Sequence, residues 1–179
     1  MKKRAVLNAK EMELIENRMA AQIAERHSGA DSLILVGIKR RGEDLAERLA
    51  SKLENIYGFK SAVGALDINL YRDDWTRLSG DIPHIGVSTM PFSIDEKEAI
   101  LVDDVLFSGR TARSAISALL DYGRPKRIEL LTLIDRGHRE LPICPDYVGR
   151  YIETAQGDQV NVFFRERDGE DLVEVIASD

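Results

Sequence analysis

Apolar positions recur along the chain in two rhythms. Between Lys10 and His27, Met12, Ile15, Met19 and Ile23 are separated by steps of three and four. That spacing predicts an amphipathic helix whose Met and Ile stripe faces a core, with Gly29 as its stop. Leu33-Ile34-Leu35-Val36 is a continuous apolar run, followed by Gly37 and then by Glu43 to Tyr57, where Leu45, Ala46, Leu49 and Leu53 return to helical spacing. A second strand, loop and helix follow the same rule. Ile100-Leu101-Val102 is the strand, Asp103 to Arg110 the polar loop, and Thr111 to Tyr122 a helix with Ile116, Leu119 and Leu120 inward, ended by Gly123 and Pro125. A third strand, Ile128 to Ile134, comes next. A strand buried on both faces cannot alternate polar and apolar residues, so continuous apolar strands between helices predict an α/β fold: a mainly parallel sheet flanked by helices.

Other segments depart from that alternation. Ala62 to Tyr71 reads as a strand with Val63, Ala65 and Asp67 on one face and Leu66, Ile68 and Leu70 on the other. The polar stretch Arg72 to His84 is too long for a tight turn and predicts a lid. Val160 to Phe164 and Leu172 to Ile176 flank Asp168-Gly169 as the two arms of a terminal hairpin. No repeat or linker divides the chain, so residues 1–179 are expected to form a single domain.

Composition narrows the chemistry. The 25 Lys and Arg against 31 Asp and Glu leave a net charge of -6, which argues against a general polyanion binder. No apolar run approaches the ~20 residues of a membrane span, and Lys2, Lys3 and Arg4 are not followed by the apolar stretch of a signal peptide. The single cysteine, Cys144, has no second thiol for a disulfide or a thiolate metal site. Together these predict a cytoplasmic protein with no membrane partner.

The most informative stretch is Ile100-Leu-Val-Asp-Asp-Val-Leu-Phe-Ser-Gly-Arg-Thr-Ala-Arg-Ser-Ala115. It aims two adjacent carboxylates from a strand's carboxyl end and presents a Ser-Gly-Arg-Thr turn at a helix start, where free N–H groups and the helix dipole favour an anion. Alone, an acid pair can merely end a strand, and Ser108 or Thr111 can merely cap a helix. The ordered string makes a phosphate cup beside a pair of acids the better reading. A second loop, Val36-Gly-Ile-Lys-Arg-Arg-Gly42, also lies between a strand and a helix. Gly37 and Gly42 are expected to let the backbone approach a ligand, and Lys39, Arg40 and Arg41 to neutralise it. Neither a P-loop nor a dinucleotide fingerprint is present.

The acid-pair string resembles the phosphoribosyl pyrophosphate signature of the type I phosphoribosyltransferases. Adding Leu66-Asp-Ile-Asn-Leu-Tyr-Arg-Asp-Asp74, Leu133-Ile-Asp-Arg-Gly-His-Arg-Glu-Leu-Pro-Ile143 and Asp146-Tyr-Val-Gly149, the chain is similar over most of its length to the pyrimidine-operon attenuation proteins that are also uracil phosphoribosyltransferases. The resemblance implies a type I phosphoribosyltransferase fold with a small hood and a flexible lid loop. It implies synthesis of UMP and pyrophosphate from uracil and phosphoribosyl pyrophosphate, with Mg2+ carried by the substrate and no direct metal ligand. It also implies UMP-dependent binding of pyrimidine leader mRNA, and assembly as a homodimer or larger homo-oligomer.

Carried over by position, Asp103 and Asp104 face the ribose, and Phe107, Ser108, Gly109, Arg110 and Thr111 wrap the 5′-phosphate. Lys39, Arg40, Arg41 and Gly42 form the pyrophosphate loop, while Arg72 and Arg77 of the lid touch pyrophosphate. Ile134, Asp135 and Arg136 read the base, with the backbone from Val148 to Ile152 as a hood. Arg18, Arg136, His138, Arg139 and Arg150 are the candidates for an RNA face. At that face the chain departs from the attenuators: Asn17 and Ala21 stand where they carry Thr and His, Cys144 where they carry a basic residue, and Arg150 where they carry Lys. Since RNA recognition needs positive charge and polar groups, these changes favour the enzyme. The alternatives are a nucleotide-sensing RNA-binding regulator with little catalytic activity, and a phosphoribosyltransferase for another base such as a purine.

Overall fold

The computed structural model describes residues 2–27, 32–71 and 86–178. The expected lid, Arg72 to His84, including Trp75 and Arg77, lies outside the described residues, as does Gly29.

The elements run β1 (Lys3–Asn8), α1 (Ala9–Arg26), β2 (Leu33–Ile38), α2 (Arg41–Tyr57), β3 (Ala62–Leu66), β4 (Glu98–Leu106), α3 (Arg110–Leu120), β5 (Arg127–Asp135), β6 (Tyr147–Tyr151), β7 (Gln159–Phe163), α4 (Arg165–Asp168) and β8 (Leu172–Ile176). Five strands form a wholly parallel sheet in the order β3-β2-β4-β5-β6. The remaining three make an antiparallel sheet, β1-β8-β7, in which the expected hairpin pairs Val162 with Val173.

Strand order explains the layers. β3 lies on one side of β2, and β5 lies on the far side of β4, so right-handed crossovers put α2 and α3 on opposite faces. One cluster joins Met12, Ile15, Met19 and Ile23 of α1 with Leu45, Leu49 and Leu53 of α2, the sheet, Val173 and Val175 of the small sheet, and Phe164 just before α4. The other packs Ala112, Ala115 and Leu119 of α3 against Val36, Leu101 and Leu130. The Met and Ile stripe of α1 is core. That helix starts at a capping box that the spacing did not reveal: Asn8 Oδ1 accepts the Glu11 N–H at 3.0 Å while the Glu11 carboxylate accepts the Asn8 N–H.

Several expectations are corrected. Asp103 and Asp104 belong to β4, which runs on to Leu106, because their backbones pair with β5 as far as Leu106 beside Asp135. The strand after residue 62 stops at Leu66, followed by a 3-10 turn at Asn69–Tyr71, so the alternation breaks and Leu70 is exposed. Leu120, the last residue of α3, is also exposed. Val148 to Tyr151 is not a hood but part of β6, the edge strand of the parallel sheet. The small sheet covers the α1 and α2 side instead.

Ion pairs pin that small sheet. Arg41 donates to Asp168 at 3.0 Å, Arg167 grips Asp44 at 2.7 and 3.0 Å, and Arg48 joins Glu16, Glu166 and Asp171 while lying over the Phe164 ring. All three acceptors or donors on the helix side sit in the first two turns of α2.

Candidate active site

In the strand order, β2 and β4 are neighbours whose chains leave in opposite directions, α2 to one face and α3 to the other. Such a switch opens a crevice at the carboxyl ends of the strands. Here it holds about 470 Å³ and is lined by Ile38, Lys39, Arg40, Asp67, Ile68, Asn69, Gly86, Asp103, Asp104, Val105 and Thr111. Two loops that lie more than sixty residues apart in the sequence therefore meet at one place.

The glycines of the first loop act differently from expectation. A Cβ on Gly42 would lie 2.3 Å from the Val102 carbonyl oxygen, and one on Gly37 would lie 2.4 Å from Glu43 Cα. They let the start of α2 press onto the sheet, which is a packing role. The Lys39–Arg40 peptide bond is cis. Lys39 donates to the Val87 carbonyl at 2.6 Å, and Arg40 is exposed at the crevice. Arg41 turns to Asp168 and the Phe163 ring, so its charge acts on the crevice from outside.

Asp103 is only 5% exposed, and its Oδ1 accepts the N–H of Asp104 at 3.0 Å. Burial, reinforced by the neighbouring Asp104 charge, raises the proton affinity of Asp103 well above the usual carboxylate range. Burial also raises Asp104, opposed by the Asp103 side-chain contact and by Arg41. Two carboxylates this close do not ionise independently, and the pair holds a proton most readily on Asp103.

Beyond β4 the chain turns at Gly109, φ +89°, into α3, whose first turn carries no acidic residue. Phe107 and Ser108 are half-buried, Gly109 is buried, Arg110 is exposed and paired with Glu140 at 2.7 Å, and Thr111 faces the crevice. The Ser108 hydroxyl accepts the Arg110 N–H at 3.3 Å. A helix start whose own first turn carries no acidic residue suits an anion.

The expected base-reading side chains are engaged inside the protein. Ile134 is fully buried in the core. Asp135 accepts the Gly137 N–H at 2.9 Å and pairs with Arg139 at 2.5 Å. Arg136 is 7% exposed; it donates to Asp158 O, Ala155 O and Thr154 Oγ1 and lies 4.2 Å over the Phe107 ring. A second cavity of about 630 Å³ opens where β5 and β6 end, bounded among others by His138, Tyr151, Ile152 and Thr154. It lies along the same sheet edge as the crevice.

Of the residues expected at an RNA face, Arg18 donates to the Val148 and Gly149 carbonyls, and Arg139 binds backbone around the Phe107 turn. Arg150 pairs weakly with Glu11 at 3.8 Å, and exposed His138 contacts the Thr154 carbonyl at 2.7 Å. Cys144 is exposed. The crevice residues that sequence reasoning missed are Asp67, Asn69 and Gly86. Asp67 caps its own turn through the Asn69 N–H, and a Cβ on Gly86 would meet its carboxylate at 2.0 Å. The Asp-x-Asn after an apolar run was the available signal.

A model of the phosphoribosyl transferase domain matches residues 3–164. A bifunctional protein PyrR from Pelotomaculum thermopropionicum is 50% identical over 159 residues, 89% of this chain and 87% of the relative. One from Deinococcus radiodurans is 47% identical over 97% of this chain and 94% of the relative. Among solved structures, a hypoxanthine phosphoribosyltransferase from Staphylococcus aureus superposes with a TM-score of 0.71 at 22% identity, covering 98% of this chain and 92% of that one. The hypoxanthine phosphoribosyltransferase of Trypanosoma cruzi gives 0.73 at 14% identity, over 98% and 97%. At those identities the superpositions speak for the fold alone.

Proposed function

The chain belongs to the phosphoribosyl transferase family, among the bifunctional PyrR proteins, and on that premise we propose that it transfers the phosphoribosyl group of phosphoribosyl pyrophosphate to uracil, forming UMP and pyrophosphate. One observation carries the reading: the acid pair Asp103 and Asp104, Thr111 at the end of the Phe107–Thr111 turn and the Lys39–Arg40 loop converge on a single crevice at the β2/β4 switch.

Breaking the bond from C1 to pyrophosphate leaves positive charge on the ribosyl ring, as in glycoside cleavage. No covalent nucleophile is needed. The amides of Ser108, Gly109 and Thr111 hold the 5′-phosphate, Lys39 and Arg40 hold the leaving pyrophosphate, and Asp104, the readier of the acid pair to ionise, faces the ring where charge develops. Asp103 orients Asp104 through its backbone N–H.

Magnesium fits this donor set as a companion of the substrate. Among the described residues no group of three or more metal-ligating side chains surrounds a common point. Magnesium on a diphosphate keeps phosphate oxygens and water as most of its ligands. Asp103 and Asp104 are the carboxylates that would face it, and when bound it offsets charge on the leaving group.

The base is read in the cavity at the ends of β5 and β6, with Asp135 and Arg136 shaping its wall while their charged groups stay engaged. UMP-dependent binding of pyrimidine leader RNA is the second activity of the proposal, with His138 and Arg150 as its most exposed candidates. The backbone engagement of Arg18, Arg136 and Arg139 favours the enzymatic reading as the primary one. Homo-oligomeric assembly in the cytoplasm belongs to the same proposal; no helix among the described residues is long and apolar enough to cross a membrane.

The test is conversion of labelled uracil with phosphoribosyl pyrophosphate and magnesium, beside hypoxanthine, guanine and orotate. Turnover of uracil alone is expected. Turnover of a purine would replace the substrate, and no turnover with retained UMP-dependent leader binding would make the protein a regulator.

A further inference from the structure

We infer that Arg139 is a positioning residue for the 5′-phosphate turn, acting on it through backbone carbonyls while its side chain also borders the cavity at the ends of β5 and β6; the inference rests on the phosphoribosyl-transfer reading above. Its guanidinium is spent on the fold. Nη1 donates to the Phe107 carbonyl at 2.7 Å and reaches the Gly137 carbonyl at 3.2 Å. Nη2 pairs with Asp135 at 2.5 Å, and Nε donates to the Ile143 carbonyl at 3.1 Å.

What this does to the turn follows from peptide geometry. In a planar trans peptide the N–H points opposite the C=O. Holding the Phe107 carbonyl against Arg139 therefore aims the Ser108 N–H the other way. The next peptide is held from the same side, since the Ser108 carbonyl accepts the N–H groups of Glu140 and Leu141 at 2.9 and 3.1 Å. That aims the Gly109 N–H likewise. Residues 139–141 thus form a brace that takes two consecutive carbonyls and leaves two consecutive amides for an anion at the start of α3. The brace packs against the turn: Leu141 Cβ lies 3.5 Å from where a Gly109 side chain would begin.

Asp135 fixes Arg139 and is itself fixed by the Gly137 N–H at 2.9 Å. The strand that ends beside the base cavity is therefore tied to the turn that grips the phosphate through one guanidinium. Lysine cannot reproduce this, because an ammonium lacks the planar fork that spans a carboxylate and carbonyls on two sides.

The experiment compares wild type, Arg139→Lys, Arg139→Gln and Asp135→Asn. It measures KM for phosphoribosyl pyrophosphate and for uracil, calorimetric Kd for UMP and for pyrophosphate, and the thermal midpoint. UMP and phosphoribosyl pyrophosphate share the 5′-phosphate, so KM for the one and Kd for the other should rise together in Arg139→Lys, by roughly tenfold for a lost charge-assisted contact. Pyrophosphate affinity should stay unchanged, and Asp135→Asn, which removes only the charge that fixes Arg139, should give a smaller rise in KM for phosphoribosyl pyrophosphate; both side chains also border the cavity at the ends of β5 and β6, so KM for uracil reports that second contact separately. Wild-type values in Arg139→Lys, or equal weakening of every ligand alongside a lowered midpoint, would overturn the assignment, as would lost RNA binding with unaltered kinetics. A wild-type protein that neither consumes uracil nor binds UMP would defeat the underlying reading itself, a result distinguishable from any confined to the variants.

Discussion

Arg136 lies with its guanidinium 4.2 Å over the ring of Phe107, while its nitrogens bind the carbonyls of Ala155 and Asp158. One side chain thereby joins the Phe107–Thr111 turn to the loop that leads into the small sheet. Its burial lowers its proton affinity, yet an arginine stays charged, and the hydrogen bonds and the aromatic face replace the water it has lost. Arg136→Ala removes at once the buried guanidinium that ties the Ala155, Gln156 and Asp158 carbonyls together and its contact with the Phe107 ring, and a loss of about 3 kcal/mol in stability is expected from denaturant titration. A loss below about 1 kcal/mol, the usual range of a surface substitution, would contradict the structural role.

Replacing Asp104 by Asn should leave the fold intact and reduce kcat by something on the order of 10²-fold, the usual scale of one electrostatic contact in a transition state. Steady-state turnover of uracil together with a circular dichroism spectrum checks both halves. An unchanged rate would remove Asp104 from the mechanism.

Asp103 should make the opposite trade. Its proton affinity is raised in the fold, so the folded state binds more protons than the unfolded chain between the ordinary carboxylate range and the raised native value. Stability contributed by this group is therefore lost as pH rises through that window. Asp103→Asn, which carries no charge at any pH, should raise the thermal midpoint at neutral pH by more than at pH 4. A midpoint gain that is flat or reversed with pH would show that the acid pair is not strained by burial.

Gly42→Ala should be costly although alanine favours helices. The added Cβ would sit 2.3 Å from the Val102 carbonyl, so the start of α2 has to lift off β4. A destabilisation of roughly 1–3 kcal/mol is expected from urea unfolding, with weaker binding of pyrophosphate because Lys39 and Arg40 move with the helix. Wild-type stability would mean that the helix start has slack.

His27 tests the other end of the sheet. It is buried between Glu98, at 2.7 Å, and Glu129, at 2.9 Å, with the Tyr147 hydroxyl at 3.1 Å and Arg26 and Arg127 paired to the same acids. His27→Ala removes the buried ring that both carboxylates and the Tyr147 hydroxyl contact, and a loss of about 2–3 kcal/mol is expected from the cavity and the lost hydrogen bonds. Glu98 lies five strand residues before Asp103, roughly 16 Å along β4, so kcat per folded molecule should stay at the wild-type level. A selective loss of kcat in folded protein would show coupling along the strand.

The cup was legible because it is local. A strand, two acids, a turn through glycine and a helix start occur within sixteen consecutive residues, and each step constrains the next by backbone chemistry alone. The same holds for α1, α2 and the terminal hairpin, whose periodicities fall on the observed elements. The strands β1 and β6 were not legible. Lys3–Asn8 carries charge, and Tyr147–Tyr151 is short and broken by Gly149, so neither has a period of its own. They become strands because β8 and β5 supply partners.

By itself, then, the sequence determined the alternation of strands and helices, the parallel sheet and the chemical character of the two loops, since these depend on residues close in the chain. Tertiary structure decided that the two loops meet, because only the strand order makes β2 and β4 neighbours with helices leaving to opposite faces. It also decided what the basic residues do. Three arginines of one surface-looking sequence class end differently: Arg40 at the crevice, Arg136 across Phe107 and Arg139 against the Phe107 carbonyl. A guanidinium goes where unsatisfied carbonyls and carboxylates surround it, and those acceptors are assembled only when distant segments of the chain pack together.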